Sequence, residues 1–174
     1  MKCLLIVDLQ KDFVYPDGAL YTEGVEKIVP EVLKLIREFK SQNLPIITTA
    51  DTHVENDKEF NIWPPHCIKN TEGWKIIPEV ENELKNYKLR YHTEKSRYSA
   101  FYNSNFEEIL KEIGADEFHV AGLVSNICVL FTVEDLKSRW YDVYVHEKAA
   151  DSYDKELHKF AMREMKEVLG AEVV

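Results

Sequence analysis

Short apolar runs bounded by polar or small residues recur along the whole chain. Runs of this length are typical of strands that are buried in a sheet, because a buried helix needs a longer segment. Such runs predict strands at residues 3–8, 44–50, 117–122 and 171–174. Two segments of mixed polarity, 87–95 and 141–149, are also predicted as strands, which makes six.

Segments with helical spacing separate nearly all of these strands. In the first segment, for example, apolar residues recur at helical spacing from Ile28 to Phe39. Strands that alternate with helices pair in parallel through right-handed crossovers, which leave helices on both faces of the sheet. We therefore predict one α/β domain over residues 1–174, a Rossmann-like, three-layer α/β/α fold with a six-stranded parallel sheet. The predicted helices cover residues 25–42, 75–85, 104–113, 126–139 and 154–168.

Polar residues that could take part in binding or catalysis follow the predicted strands. Asp8, Asp51 and Lys95 each end or follow a strand, and the turn 122–128 leads to Cys128. In open parallel sheets the ligand crevice lies beyond the carboxyl ends of the strands. We therefore expect these residues to meet at one rim. The long polar loop 51–73 joins them, and such loops inside compact domains are usually functional.

The composition is that of a globular protein, with 45% hydrophobic and 30% charged residues in 174. A net charge of -9 argues against binding to nucleic acid. No apolar run approaches the roughly 18 residues of a membrane span, and charges interrupt the N-terminal MKCLLIVDLQ too early for a signal peptide. We expect a cytoplasmic protein without membrane or nucleic-acid partners. Its three cysteines lack the spacing of a disulfide framework or a structural zinc site.

Asp8, Lys95 and Cys128 form a candidate nucleophilic site. The thiolate is the reactive form of cysteine, and a nearby ammonium and a helix N-terminus both favour it. A carboxylate can take the thiol proton and later give it to a leaving amine, so the three residues suffice for acyl transfer from an amide. The alternative is an acid that caps a loop, a solvated lysine and a core cysteine. A buried unpaired acid at the end of an apolar strand would be costly, however.

Asp51, His53 and His66 form a candidate metal site. Residues two apart on an extended segment can point to one side, and the rigid Pro64–Pro65 pair can fold His66 back towards them. One carboxylate and two imidazoles leave positions open for water or substrate, as catalytic metal sites do. The alternative is a loop that merely carries histidines.

Three aromatic residues, Phe13, Trp63 and Tyr98, fall in loops near both groups. Such residues could stack on a flat ring substrate, although single loop aromatics more often serve packing. The sequence contains no GxGxxG, P-loop or GxSxG motif, so it does not support a dinucleotide, phosphate-loop or serine-hydrolase site. His119 and His146 lie in strand segments, and we expect them to be structural.

Three motifs in series resemble those of the isochorismatase-like cysteine hydrolases. The resemblance covers essentially the whole chain and implies the same six-stranded fold, with Asp8, Lys95 and Cys128 as the catalytic triad. It also implies a cis peptide at Leu123–Val124, with both residues beside the substrate and an oxyanion hole formed by the N–H groups of Val124 and Cys128. The motifs are IVDLQKDF (6–13), KSRYSAF (95–101) and AGLVSNICV (121–129).

The stretch DTH (51–53) followed by WPPHC (63–67) is similar to the metal site of the nicotinamidase and pyrazinamidase branch of that family. This similarity implies that Asp51, His53 and His66 hold a divalent metal, zinc first, with iron or manganese as alternatives. In that branch the metal takes the pyridine nitrogen of nicotinamide.

The same similarity implies that Phe13 and Trp63 sandwich the substrate ring, with Tyr98 as a looser match. The chain departs from the branch at Thr52, where tryptophan is usual, and at Asp17–Gly18, where two glycines are usual. These departures border the expected pocket and bear on substrate identity.

The resemblance as a whole implies metal-assisted hydrolysis of nicotinamide to nicotinate and ammonia through a thioester on Cys128. A small-molecule amide is then the partner, and the protein is expected to be a homo-oligomer, as members of the family commonly are. Two alternatives remain: a related cysteine hydrolase acting on another small amide or carbamoyl compound, and a non-catalytic α/β module that binds a small molecule.

Overall fold

A computed structural model describes all 174 residues and contains a six-stranded sheet in which every strand pair is parallel. The strands are β1 (Lys2–Val7), β2 (Ile46–Asp51), β3 (Arg90–Lys95), β4 (Glu117–Gly122), β5 (Asp142–Ala150) and β6 (Glu172–Val173). They lie in the order β3-β2-β1-β4-β5-β6, so β2 and β3 lie on one side of β1, and β4, β5 and β6 lie on the other. The predicted α/β fold is confirmed.

Helices cover both faces of the sheet. Successive residues of β1 point to opposite faces, so Leu5 and Val7 pack on one face while Leu4 and Ile6 pack on the other. The helices are α1 (Lys11–Val14), α2 (Val29–Ser41), α3 (Pro78–Leu84), α4 (Phe106–Ile113), α5 (Leu130–Ser138) and α6 (Lys155–Arg163). The first face carries α4, α5 and α6, and the second carries α2 and α3.

Several boundaries differ from those predicted. The segment predicted as a helix from residue 25 begins with a 3-10 turn, Val25–Ile28, before α2. The segments 126–139 and 154–168 each contain a widened π-type turn, Ser125–Val129 and Glu164–Val168, next to an α-helix. Apolar spacing cannot separate these turns from an α-helix, because their periods differ from that of an α-helix by less than about one residue per turn.

The strand ends gather at one edge of the sheet, as parallel topology requires. Asp8 directly follows β1 in the left-handed conformation, with φ 49°, which an aspartate tolerates better than most residues. Asp51 and Lys95 are the last residues of β2 and β3. No helix has the length and apolar character that a membrane crossing would need.

Candidate active site

The three residues of the candidate triad converge although they lie at or after the ends of three different strands. Lys95 Nζ lies 2.8 Å from Asp8 Oδ2 and donates a hydrogen bond to Cys128 Sγ at 3.4 Å. The hydroxyl of Thr49 donates to the other oxygen of Asp8. All three predicted residues are buried, with Lys95 only 1% exposed. A lysine buried to this extent needs fixed partners, and these are the acid and the thiol of the sequence prediction.

The charges of this group depend on one another. Burial raises the pKa of Asp8 above its usual value, although Lys95 pulls it down. Burial alone would lower the pKa of Lys95, but the carboxylates of Asp51 and Asp8 raise it well above its usual value. Burial also raises the pKa of the Cys128 thiol, and Lys95 only partly opposes this. Desolvation of the thiol therefore outweighs the ammonium, which leaves a role for a base such as Asp8 in removing the thiol proton.

The turn between β4 and Cys128 depends on a glycine. Gly122 has φ 121°, and a Cβ on this residue would lie 2.1 Å from the carbonyl oxygen of Val7. The next peptide bond, Leu123–Val124, is cis. The carbonyl oxygen of Val124 accepts from the N–H groups of Ile127 and Val129, while the N–H of Val124 has no acceptor in the protein. This free donor borders the same cavity as Cys128.

The predicted metal ligands lie together in a buried group. Nε2 of His53 and Nε2 of His66 lie 3.0 and 3.3 Å from the same carboxylate oxygen of Asp51. Glu59 completes the group, and the four candidate ligand atoms lie within 4.8 Å of one another. Its Oε2 atom is buried and has no hydrogen-bond partner, so the group holds an unsatisfied anionic oxygen. These residues fit a divalent cation in both donor type and spacing.

Hydrogen bonds at the far side of each imidazole fix its orientation. Nδ1 of His53 bonds to Asp57 Oδ2 at 3.0 Å, and Nδ1 of His66 bonds to the carbonyl oxygen of Pro64 at 2.7 Å. Since both partners accept, each Nδ1 carries the hydrogen and each Nε2 faces Asp51. Burial opposes protonation of His53, but Asp51 and Asp57 raise its pKa to about 9. The same negative field that attracts this proton would attract a metal cation.

Glu59 was missed by the sequence reasoning. It lies in a 3-10 turn, Lys58–Asn61, inside the loop 51–73, and no spacing relation links it to His53 or His66. The one available signal was an acid within a loop that already carried two candidate ligands. Cys67, by contrast, lies outside the ligand group, and its N–H donates to Asp12 Oδ2 at 2.7 Å.

The thiol and the ligand group border one cavity of about 260 Å³, whose lining is mainly hydrophobic. Cys128, Leu123 and Val124 line one part of the cavity, while Asp51 and His66 line another. No lysine or arginine lines it. The aromatic residues on its walls are Phe13, Tyr21, Trp63, Tyr98 and Tyr153.

The predicted substrate aromatics are linked to one another and to the ligand group. The indole N–H of Trp63 donates to the Tyr98 hydroxyl at 3.3 Å, and the Tyr98 ring stacks on Phe131. Phe13 lies 5.9 Å from the His66 ring, measured between centroids. Trp63 also meets Tyr153 edge to face, a contact that the sequence did not suggest.

Comparisons with known proteins, by sequence and by structure, agree on one protein family. A family model described as the isochorismatase domain matches residues 2–174. The crystal structure of nicotinamidase/pyrazinamidase PncA from Bacillus subtilis superimposes with a TM-score of 0.93 and 31% identity, over 99% of this chain and 98% of that chain. The pyrazinamidase of Pyrococcus horikoshii, solved in complex with zinc, gives a TM-score of 0.89 and 30% identity over 99% and 98%. N-carbamoylsarcosine amidase from Thermoplasma acidophilum gives 0.86 and 31% over 99% and 94%.

Proposed function

The chain belongs to the isochorismatase family of hydrolases, and we propose that it hydrolyses a small neutral aromatic carboxamide, nicotinamide first, through a thioester on Cys128. One observation carries this proposal. A single cavity is bordered by the Cys128 thiol and by three members of the buried ligand group, Asp51, Glu59 and His66. One small molecule could therefore bring a carboxamide to the thiol and a ring nitrogen to a bound cation.

The charge of the cavity favours a neutral substrate. Its walls carry no lysine or arginine, while Asp51 and Glu59 add negative charge. Apart from a bound cation, which the ring nitrogen would occupy in the proposed complex, nothing on these walls would pair with the carboxylate of an N-carbamoyl amino acid. The similarity to N-carbamoylsarcosine amidase makes a carbamoyl compound the second candidate. The cavity supports the aromatic amide more strongly because five aromatic rings border it.

The first half of the proposed reaction forms the acyl-enzyme. Asp8 accepts the proton of Cys128 as the sulfur attacks the carboxamide carbon, and the Lys95 ammonium stabilises the developing thiolate. The N–H groups of Val124 and Cys128 donate to the oxyanion, and one such donor typically contributes on the order of 3 kcal/mol. The C–N bond then breaks, and Asp8 returns its proton to the departing ammonia.

The second half releases the acid. A water molecule gives a proton to Asp8 and attacks the thioester carbon. The same N–H donors stabilise the second oxyanion, the C–S bond breaks, and the Cys128 sulfur recovers the proton from Asp8. The raised pKa of Asp8 suits both steps, because a carboxyl that alternates between acid and base works best when its pKa lies near the working pH.

Asp51, His53 and His66 would hold the divalent metal, with Glu59 beside them. A donor set of carboxylates and two imidazoles suits zinc, and iron or manganese are also compatible with it. A bound cation would supply a Lewis-acid anchor for the ring nitrogen. Phe13, Trp63 and Tyr98 would flank the ring, and Leu123 and Val124 would border the carboxamide.

The test is ammonia release from nicotinamide and from N-carbamoylsarcosine by protein whose zinc content is measured. We expect release from nicotinamide at a kcat of roughly 1–1000 s⁻¹. Cys128→Ala should reduce kcat by at least about 1000-fold, as loss of a nucleophile does. Cys3→Ala is the matched control, since Cys3 is a buried thiol that does not line the cavity, and this variant should keep its activity.

Two results would overturn the proposal. Wild-type turnover by Cys128→Ala would exclude the thioester mechanism. Release from N-carbamoylsarcosine without release from nicotinamide would keep the mechanism and replace the substrate class with the second candidate.

A further inference from the structure

The loop that carries the candidate metal ligands also contains Asp57, which begins the turn Lys58–Asn61. Its Oδ1 atom accepts from the N–H of Glu59 at 2.9 Å, which fixes the side chain as the cap of that turn. Its Oδ2 atom is therefore held in one direction, towards Nδ1 of His53 at 3.0 Å. The Asp57 side chain is only 8% exposed.

Arg97, in the segment that follows β3, binds the same oxygen of Asp57. Its Nη1 atom donates to Asp57 Oδ2 at 3.1 Å, and its Nε atom lies 3.7 Å from Glu59 Oε2. The carbonyl oxygen of Arg97 accepts from Lys95 Nζ at 3.0 Å. One residue therefore contacts the candidate triad through its backbone and the surroundings of the ligand group through its side chain.

The two candidate histidine ligands are supported in different ways. Nδ1 of His66 bonds to a backbone carbonyl, that of Pro64, which no substitution removes. Nδ1 of His53 bonds to a side chain, so its orientation depends on Asp57 and, through Asp57, on Arg97. A carboxylate acceptor keeps the hydrogen on Nδ1, leaves the lone pair on Nε2, and makes that nitrogen a stronger donor to a metal.

We propose that the Arg97–Asp57 ion pair is a positioning unit that fixes the His53 ring for metal binding and thereby sets the affinity of the site. The inference rests on the metal assignment in the proposed function. Loss of a partner of this kind typically lowers metal affinity by about 10- to 100-fold. Asp57→Ala should show the full loss. Asp57→Asn should lose less, because an amide oxygen can still accept from Nδ1, and Arg97→Gln should also lie between Asp57→Ala and the wild type.

The experiment measures the apparent Kd of zinc for the full-length protein by competition with a chromophoric chelator. His53→Ala serves as the variant without a site. Arg139→Gln is the matched control, since the Arg139 side chain is 37% exposed, as is that of Arg97, and it also pairs with two carboxylates. The visible absorption of the Co²⁺-loaded protein gives a second readout of coordination. Thermal unfolding identifies variants that fail to fold.

We expect Kd to rise by about 10- to 100-fold in Asp57→Ala, with an altered Co²⁺ spectrum, and to change less than about twofold in Arg139→Gln. If the wild type and His53→Ala bind zinc equally poorly, the metal assignment itself fails, and this inference with it. If His53→Ala loses zinc but Asp57→Ala and Asp57→Asn bind it as the wild type does, only this inference is overturned. Equal losses in Arg139→Gln and Arg97→Gln would also overturn it, because general loosening would then explain both.

Discussion

Replacement of Lys95 by methionine tests how much the ammonium group of Lys95 stabilises the folded protein by pairing with buried acids. Lys95 Nζ lies 2.8 Å from Asp8 Oδ2 and 3.4 Å from Asp51 Oδ1, and none of the three side chains is more than 5% exposed. At an effective dielectric constant of about 20, these separations correspond to Coulomb attractions of roughly 6 and 5 kcal/mol. Methionine has a similar length and no charge, so the substitution leaves buried Asp8 without a cation and leaves Asp51 with only the imidazoles of His53 and His66 as partners.

The expected loss is smaller than the Coulomb sum, because burial of the ammonium itself is costly and the variant avoids that cost. Removal of one partner from a buried ion pair typically destabilises a protein by about 3–5 kcal/mol. We expect this decrease in the free energy of unfolding for Lys95→Met. The double variant Lys95→Met Asp8→Asn removes the charge that the single variant leaves unpaired at Asp8 and should regain roughly 2 kcal/mol of that loss.

The assay is urea unfolding at equilibrium, with a chelator in every sample so that bound metal does not contribute to stability. Lys40→Met is the control, because Lys40 pairs with Glu83 in a contact whose side chains are 29% and 21% exposed. A partly exposed pair of this kind contributes about 1 kcal/mol or less. Equal losses in Lys95→Met and Lys40→Met, or no recovery in the double variant, would refute the reasoning.

Two further substitutions test other parts of the fold. Gly122→Ala should lower the free energy of unfolding by at least about 2 kcal/mol, since the added Cβ would lie 2.1 Å from Val7 O at a φ of 121°. Gly114→Ala, where φ is 60° and no atom lies within 4 Å, should cost only about 1 kcal/mol, and equal thermal shifts would contradict this. A third prediction concerns pH. Burial and His119 lower the pKa of His146 to about 4 in the folded protein, below its ordinary value of 6.5. Between these two pH values the unfolded chain therefore binds a proton at His146 that the folded protein does not bind. The stability of the wild type relative to His146→Gln should therefore fall by about 1–2 kcal/mol as the pH drops through that range, after allowance for partial exposure, and a pH-independent difference in urea unfolding would contradict it.

The sheet and the residues at its strand ends were predictable because each depends on a local pattern. Most of the strands are short and rich in apolar residues, and charged residues such as Asp8 and Lys95 at strand ends lie at the edge where open parallel sheets bind ligands. The pairing of Asp51 with His53 could be inferred because the two residues are two apart on an extended segment.

The remaining site residues could not be predicted because their contacts join distant parts of the chain. Asp57 and Glu59 lie in a loop without periodicity, and Arg97 reaches them from the segment after β3. The pKa of Cys128 could not be predicted either. The sequence shows that a lysine and a helix end are available, but the pKa depends on burial, which only the folded structure gives.

The strand order explains why the cation of this site is a lysine and why it contacts two acids. β3 and β1 are separated by β2, so Lys95 and Asp8 start about 10 Å apart across the sheet, given a strand spacing of about 4.8 Å. The long, flexible stem of lysine can cross that gap, and its path passes the end of β2, where Asp51 lies. The contact between Lys95 and Asp51 therefore follows from topology. It makes the triad and the ligand group one electrostatic unit, because any change in the charge on Asp51 alters the field that Lys95 shares with Asp8 and Cys128.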